Sequence, residues 1–193
     1  MTLLATSVLL ATNPTQSNAF EPIEQQIERL PNATRRLAAQ LRLPLEIDTV
    51  WAVLTDYDRL TSFIPNLISS RVVRRDGLEV VLEQEGAQRF AGLQFTAKVT
   101  LELRERRPDG MLDFRMVSGD FRRFEGAWFI CPDPLGGIRL RYEVLIQACR
   151  GMPIGLIEQR LKEDLSMNLR AVAAEALKRD SSVNQTQAEA AIT

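Results

Sequence analysis

The chain has 193 residues, 45% of them hydrophobic and 25% charged, a composition that suits one folded domain with short terminal extensions and a core able to stand without staples. Lys and Arg (24) nearly balance Asp and Glu (25), so the broad basic footprint of a nucleic-acid binder is missing and no nucleic-acid partner is expected. Histidine is absent, which removes the usual general base and the commonest metal ligand.

Residues 1–19 carry no charged side chain. Leu3–Ala11 is an apolar run too short to span a bilayer, followed by Pro14 and then Ser17-Asn18-Ala19, whose small residues fit a signal-peptidase site. The basic start of an export signal is missing, so this segment is read as either a signal peptide or a disordered leader. Residues 20–34 form an N-terminal extension. Within it, Ile23, Ile27 and Leu30 at helical spacing predict a short helix over Phe20–Asn32, ended by Pro31.

The folded domain is expected over residues 35–179. Leu37, Ala39, Leu41 and Leu43 alternate with Arg36, Gln40 and Arg42, giving a half-buried strand stopped by Pro44. Asp48 or Thr49 then caps a helix that turns Val50, Trp51 and Leu54 inward. A second short helix or turn passes through Leu60 and Phe63 to Pro65. A strand over Ser69–Arg75 reaches the turn Asp76-Gly77, after which Leu78, Val80 and Leu82 point inward.

Phe90 to Glu105 predicts a longer strand with Leu93, Phe95, Ala97, Val99, Leu101 and Leu103 inward. Pro108-Asp109-Gly110 turns the chain into a strand that buries Leu112, Phe114 and Met116. Phe124, Gly126, Trp128 and Ile130 share the inner face of the next strand, and the turn Pro132–Gly137 leads to a last one bearing Leu140, Tyr142, Val144 and Ile146. Clean alternation implies an antiparallel sheet with one wet face. Its cover is a helix from about Pro153 to Lys178, striped by Ile154, Ile157, Leu161, Leu165, Leu169, Val172 and Ala176. The tail, 180–193, is read as disordered.

The fold class is therefore α+β: a curved antiparallel sheet of about seven strands wrapped on one long C-terminal helix, with short helices after the first strand. A single helix covers only part of a concave sheet, and the rest must be filled by side chains or by a ligand. The Phe, Met and Trp content of the inner face suits either outcome. Gln84, Arg89 and Tyr142 share inward phases, so each is placed to orient a ligand carbonyl or hydroxyl, or to rest solvated or bonded to backbone.

Catalytic chemistry finds little support. Glu79, Glu83, Glu102 and Glu143 point outward, leaving Glu105 and Glu125 as the acids to examine. No phosphate loop, zinc spacing or dinucleotide fingerprint occurs. Cys131 and Cys149 fall too far out of register for a disulfide and are expected as free thiols. The clustered arginines read as cross-strand ion pairs on the wet face.

Val50-Trp51-Ala52-Val53-Leu54-Thr55-Asp56-Tyr57, with Phe63-Ile64-Pro65-Asn66-Leu67, resembles the opening helices of the START-like polyketide cyclase/dehydrase superfamily (SRPBCC). Gly119–Trp128 and the ending from Pro153 through Asp164-Leu165 and Asn168-Leu169 resemble it too, over residues 35–178 in all. The nearest branch is that of the coenzyme Q-binding START-like proteins. The resemblance implies a helix-grip fold with a cavity between sheet and terminal helix, and a hydrophobic ligand such as an isoprenoid quinone or a lipid. The candidate ligand-lining residues are Phe63, Leu67, Gln84, Arg89, Phe95, Phe114, Met116, Trp128, Tyr142, Ile157 and Leu161. No catalytic residue, metal or cofactor is assigned. The Phe63–Leu67 turn and Gly151-Met152-Pro153 are candidate gates.

Three functions follow as expectations. The first is binding or transport of a quinone or lipid, with transient membrane contact and a cytoplasmic or membrane-peripheral location, or an exported one if residues 1–19 are a signal. The second is an aromatase/cyclase-type enzyme using Tyr142 and Arg89. The third is a module for the ribosome or another protein, acting through Arg122 and Arg123.

Overall fold

The computed structural model describes residues 22–90, 93–148 and 154–190, with the backbone alone at 88–90, 93–95, 154–157 and 186–190. The leader, Cys149 and the Gly151–Pro153 gate lie outside the described residues. Strand β1 (Glu24–Leu30) turns through Asn32 and Ala33, at φ 57° and 54°, into β2 (Thr34–Leu43). The helix expected over Phe20–Asn32 is thus a strand. Pairing of all seven residues of β1 with Thr34–Gln40 of β2 satisfies backbone hydrogen bonds on both strands, and this outweighs three apolar residues at helical spacing.

Helix α1 (Ile47–Leu54) buries Val50, Trp51, Val53 and Leu54. Glu46 occupies its N-cap position with no side-chain bond, so neither Asp48 nor Thr49 caps it, and Asp48 pairs instead with Arg107 at 2.5 Å. A 3-10 turn over Tyr57–Ser62 follows, then β3 (Leu67–Asp76) and β4 (Glu79–Phe90). Leu78, expected inward, stands 58% exposed at the β3–β4 turn. Strand β5 (Leu93–Arg106) begins later than expected because Phe90 closes β4. Then come β6 (Met111–Gly119), β7 (Arg123–Pro132), β8 (Ile138–Gln147) and helix α2 (Ile154–Ala190).

Among the described residues eight strands form one antiparallel sheet in the order β1-β2-β8-β7-β6-β5-β4-β3. β1 is the strand beyond the seven expected. Among the described residues β1 and β3 are the edge strands, and β3 slips register twice, between Leu67 and Ser69 and between Val72 and Arg74. The wet face carries expected cross-strand ion pairs, among them Arg71–Glu83 (2.6 Å) and Arg115–Glu102, and also Arg141–Glu143 within β8 (2.5 Å).

The core is densest where β2, β8, α1 and the second half of α2 meet. Leu37, Leu43, Leu140, Leu169 and Val172 are each at most 1% exposed. Each such side chain contributes about 1.5–3 kcal/mol by burial. α2 also carries an ion-pair network there: Arg179 reaches Asp56 and Glu175, both at 2.8 Å. The tail expected to be disordered continues α2 as helix to Ala190. Residues 181–185 are exposed, and Ser181 and Ser182 each donate to the carbonyl four residues back, Leu177 and Lys178, at 2.9 Å.

Candidate functional site

Burial falls off along the inner face in one direction on three adjacent strands. On β4, Val80 and Leu82 are sealed, whereas Gln84 is half-buried. On β5, Leu103 and Leu101 are buried and Val99 is half-buried; on β6, Leu112 and Phe114 are buried and Met116 is half-buried. Strand pairing aligns these as rows, Leu82 beside Leu101 beside Met116, and Gln84 beside Val99. Phe63, Ile64 and Leu67 are half-buried toward the same end, beside β3, and Leu161 of α2 is half-buried opposite the sheet. One end of the molecule is closed core; toward the other, large apolar side chains are left partly uncovered.

A continuous line of rings crosses this wall. Phe121 and Phe124 are 5.6 Å apart, Phe124 and Phe114 5.4 Å, and Phe114 and Tyr142 6.1 Å, each pair tilted. Trp128 then stacks flat on Tyr142, its direct partner across β7–β8, at 4.0 Å and 5°. Gly126 makes this possible: an added Cβ would come within 2.7 Å of the Phe114 ring, so the missing side chain is where Phe114 rests.

Few polar groups interrupt the wall. Gln84 donates to the Ser70 hydroxyl (3.4 Å), which donates to the Tyr57 carbonyl (2.7 Å). Burial, reinforced by the Asp164 carboxylate, pushes the Tyr142 phenol above its ordinary value, so it stays protonated and able to donate. Glu105, one of the two acids to examine, is also on this face, but it is engaged: the Tyr57 hydroxyl donates to it at 2.8 Å, and Arg75 pairs with it at 3.0 Å. Burial and then this bond push the Tyr57 phenol upward as well. Glu125 faces outward and pairs with Arg123 at 2.5 Å.

Of the candidate lining residues, Phe114, Met116, Trp128, Tyr142, Phe63, Leu67, Gln84 and Leu161 all face the inner side, and Phe114, Tyr142 and Trp128 touch. The side chains of Arg89, Phe95 and Ile157 lie outside the described residues. Phe121, in the β6–β7 turn, and Phe124 join the ring line without having been singled out as lining; Asp164 was missed as a neighbour of Tyr142. Alternation had placed Phe124 on this face, but no strand period extends to Phe121.

Two shallow hollows of about 160 and 230 Å³ lie instead on the outer side, around Gln40 and Arg139. Cys131, exposed beside the second, is a free thiol. Among the described residues no group of acids and thiols could hold a metal ion, and no helix is long and apolar enough to cross a membrane.

The sequence pattern of the family described as polyketide cyclase / dehydrase and lipid transport matches residues 43–173. No curated protein matches the chain in sequence. Among solved structures it is similar to a STAR-related lipid transfer protein from Xanthomonas axonopodis (17% identity, 83% of this chain and 96% of that one, TM-score 0.69). It is similar as well to the Zhui aromatase/cyclase from Streptomyces sp. R1128 (16%, 76% and 95%, TM-score 0.65) and to human StAR-related lipid transfer protein 5 (9%, 81% and 88%, TM-score 0.64). These likenesses establish the helix-grip, START-like fold.

Proposed function

The chain belongs to the polyketide cyclase/dehydrase and lipid transport family, and on that premise we propose that it holds a hydrophobic small molecule, an isoprenoid quinone or a lipid, between the inner face of the sheet and α2. The observation that carries this reading is the run of half-buried apolar side chains, Phe63, Leu67, Val99, Met116, Trp128 and Leu161, beside a core that is otherwise sealed. A ligand that removes about 200 Å² of apolar surface from water gains around 5 kcal/mol before the costs of binding. The ring line gives such a ligand flat surfaces to lie on, and Gln84 and the Tyr142 hydroxyl offer it donors.

Contact with a membrane surface during loading belongs to the same proposal, with a cytoplasmic or membrane-peripheral location. Ile68 (51% exposed) and Val117 (48%) stand at the end of the sheet toward which burial falls off, where a lipid surface would meet them. Organic extraction and native mass spectrometry of the purified chain test the reading. They should recover a hydrophobic molecule from the wild type and little from Leu161→Glu, which places a charge on the inner wall. A wild-type chain that carries none, and takes up neither quinones nor lipids, sinks it.

A second reading, an aromatase/cyclase-type enzyme, is favoured by one observation: a phenol held protonated near a carboxylate, Tyr142 and Asp164, on an apolar wall. In it Tyr142 donates to a substrate carbonyl. Tyr142→Phe keeps the stack on Trp128 and removes the donor, so loss of turnover with retained ligand binding would support it, and unchanged turnover would remove it.

A further inference from the structure

The two halves of α2 are fastened by different physics. Between Leu169 and Ala176, apolar burial holds it: Leu169, Val172, Ala173 and Ala176 are each at most 1% exposed. From Glu158 to Ser166 the buried side chains are Glu158 and Leu165, and polar contacts run from this half to the β1–β2 hairpin. Arg29 grips the Glu158 carboxylate with two nitrogens, at 3.0 and 2.7 Å. Arg35, directly opposite Arg29 across the hairpin, donates to it at 2.7 Å. The Lys162 ammonium lies 3.8 Å from the same group. Gln25 donates to the Lys162 carbonyl at 2.9 Å and to the Ser166 hydroxyl.

The carboxylate is therefore almost out of water, 8% exposed, between one guanidinium 12% exposed and another 71% exposed. A bidentate, charge-assisted grip of this kind is directional and opens when its geometry is lost, whereas apolar anchoring yields only when water reaches it. The first half of α2 is thus held chiefly by polar contacts to the hairpin and the second by apolar burial. Leu161, on that first half, is half-buried against the same core as the inner wall. The hairpin that does the gripping precedes the family match, which begins at residue 43.

We propose that the β1–β2 hairpin is a latch: Arg29 and Arg35 hold Glu158, keep the first half of α2 closed over the inner wall, and so set the rate at which a hydrophobic ligand enters and leaves. This rests on the ligand-holding reading above. The latch acts on passage and not on the ligand's own contacts, so opening it speeds loading and release together and leaves affinity nearly unchanged.

The experiment uses the full chain and a polyene fatty acid whose fluorescence rises on burial, followed by stopped flow, with amide hydrogen exchange measured in parallel. The variants are Glu158→Gln and, separately, Arg29→Ala, whose long, exposed side chain can be removed without opening the core. Glu158→Gln should raise both association and dissociation rates about tenfold with Kd within about twofold, and Arg29→Ala should do so by less. Amide exchange should quicken at 158–166 and not at 169–176. Unchanged probe rates, or unchanged exchange at 158–166, would overturn the latch while the ligand-holding reading stands. A wild-type chain that takes up neither this probe nor a quinone overturns that reading and the latch with it.

Discussion

Gly126 shows how much one missing side chain can decide. A methyl group there would lie 2.0 Å from the Glu143 carbonyl oxygen as well as against the Phe114 ring. The ring could turn aside; the backbone of β8 could do so only by breaking register. Gly126→Ala should therefore destabilise the fold by about 1–3 kcal/mol, read from urea unfolding, and should disturb the near-UV signal of the packed rings. The need for glycine at 126 was not legible in the sequence, because the strand period says which way a residue points and not how close the neighbouring strand comes. What the period did give was the inner set, Leu140, Tyr142 and Val144 on β8 and Leu112, Phe114 and Met116 on β6. Phe121 escaped it, since a turn residue has no alternation to belong to.

At the scale of elements, α2 separates into parts with different work. Leu169, fully buried in the core, should cost about 2–5 kcal/mol when cut to alanine, because the packed helix cannot collapse into the gap. Ending the chain after Asp180 should change the unfolding free energy by less than about 0.5 kcal/mol, since residues 181–185 are exposed. Calorimetry on both variants checks the contrast. The apolar stripe made the packed part of this helix readable as far as Lys178. Beyond it the stripe stops, but alanine, glutamine and glutamate favour helix, so the helix outlasts the signal that announced it. β1 failed in the opposite way: Ile23, Ile27 and Leu30 fit a helical period, and only the free edge of β2, a tertiary fact, decided for strand.

For the molecule as a whole, acid stability should carry the mark of the hairpin. Hydrogen bonds from Arg29 and then Arg35 hold the Glu158 carboxyl down at about 2, from an ordinary 4.5. A carboxyl depressed on folding favours the folded state above its unfolded pKa, and that contribution fades as pH falls from about 4.5 towards about 2. Glu158→Gln should therefore be less stable than wild type near neutral pH, with the difference closing through that window. Urea unfolding at a series of pH values measures this, and parallel curves would contradict it. Asp133 is lowered too, first by the Leu135 backbone N–H and then by Arg139, so the acid limb persists in the variant at reduced depth.

The margin of the sheet at β3 has a consequence for how the protein behaves in company. An open, bent sheet leaves a border of spare amide and carbonyl groups, and here Ile68 and Val73 are about half exposed along it. The two slips in its pairing break the even spacing that another strand would need, and Arg71, Arg74 and Arg75 place long charged side chains along the same stretch, Arg71 and Arg75 in ion pairs with Glu83 and Glu105. Copies of the chain meeting along this border find no even template to zip onto, so β3 should seed no fibrils, and light scattering of concentrated solutions should show no growth through it.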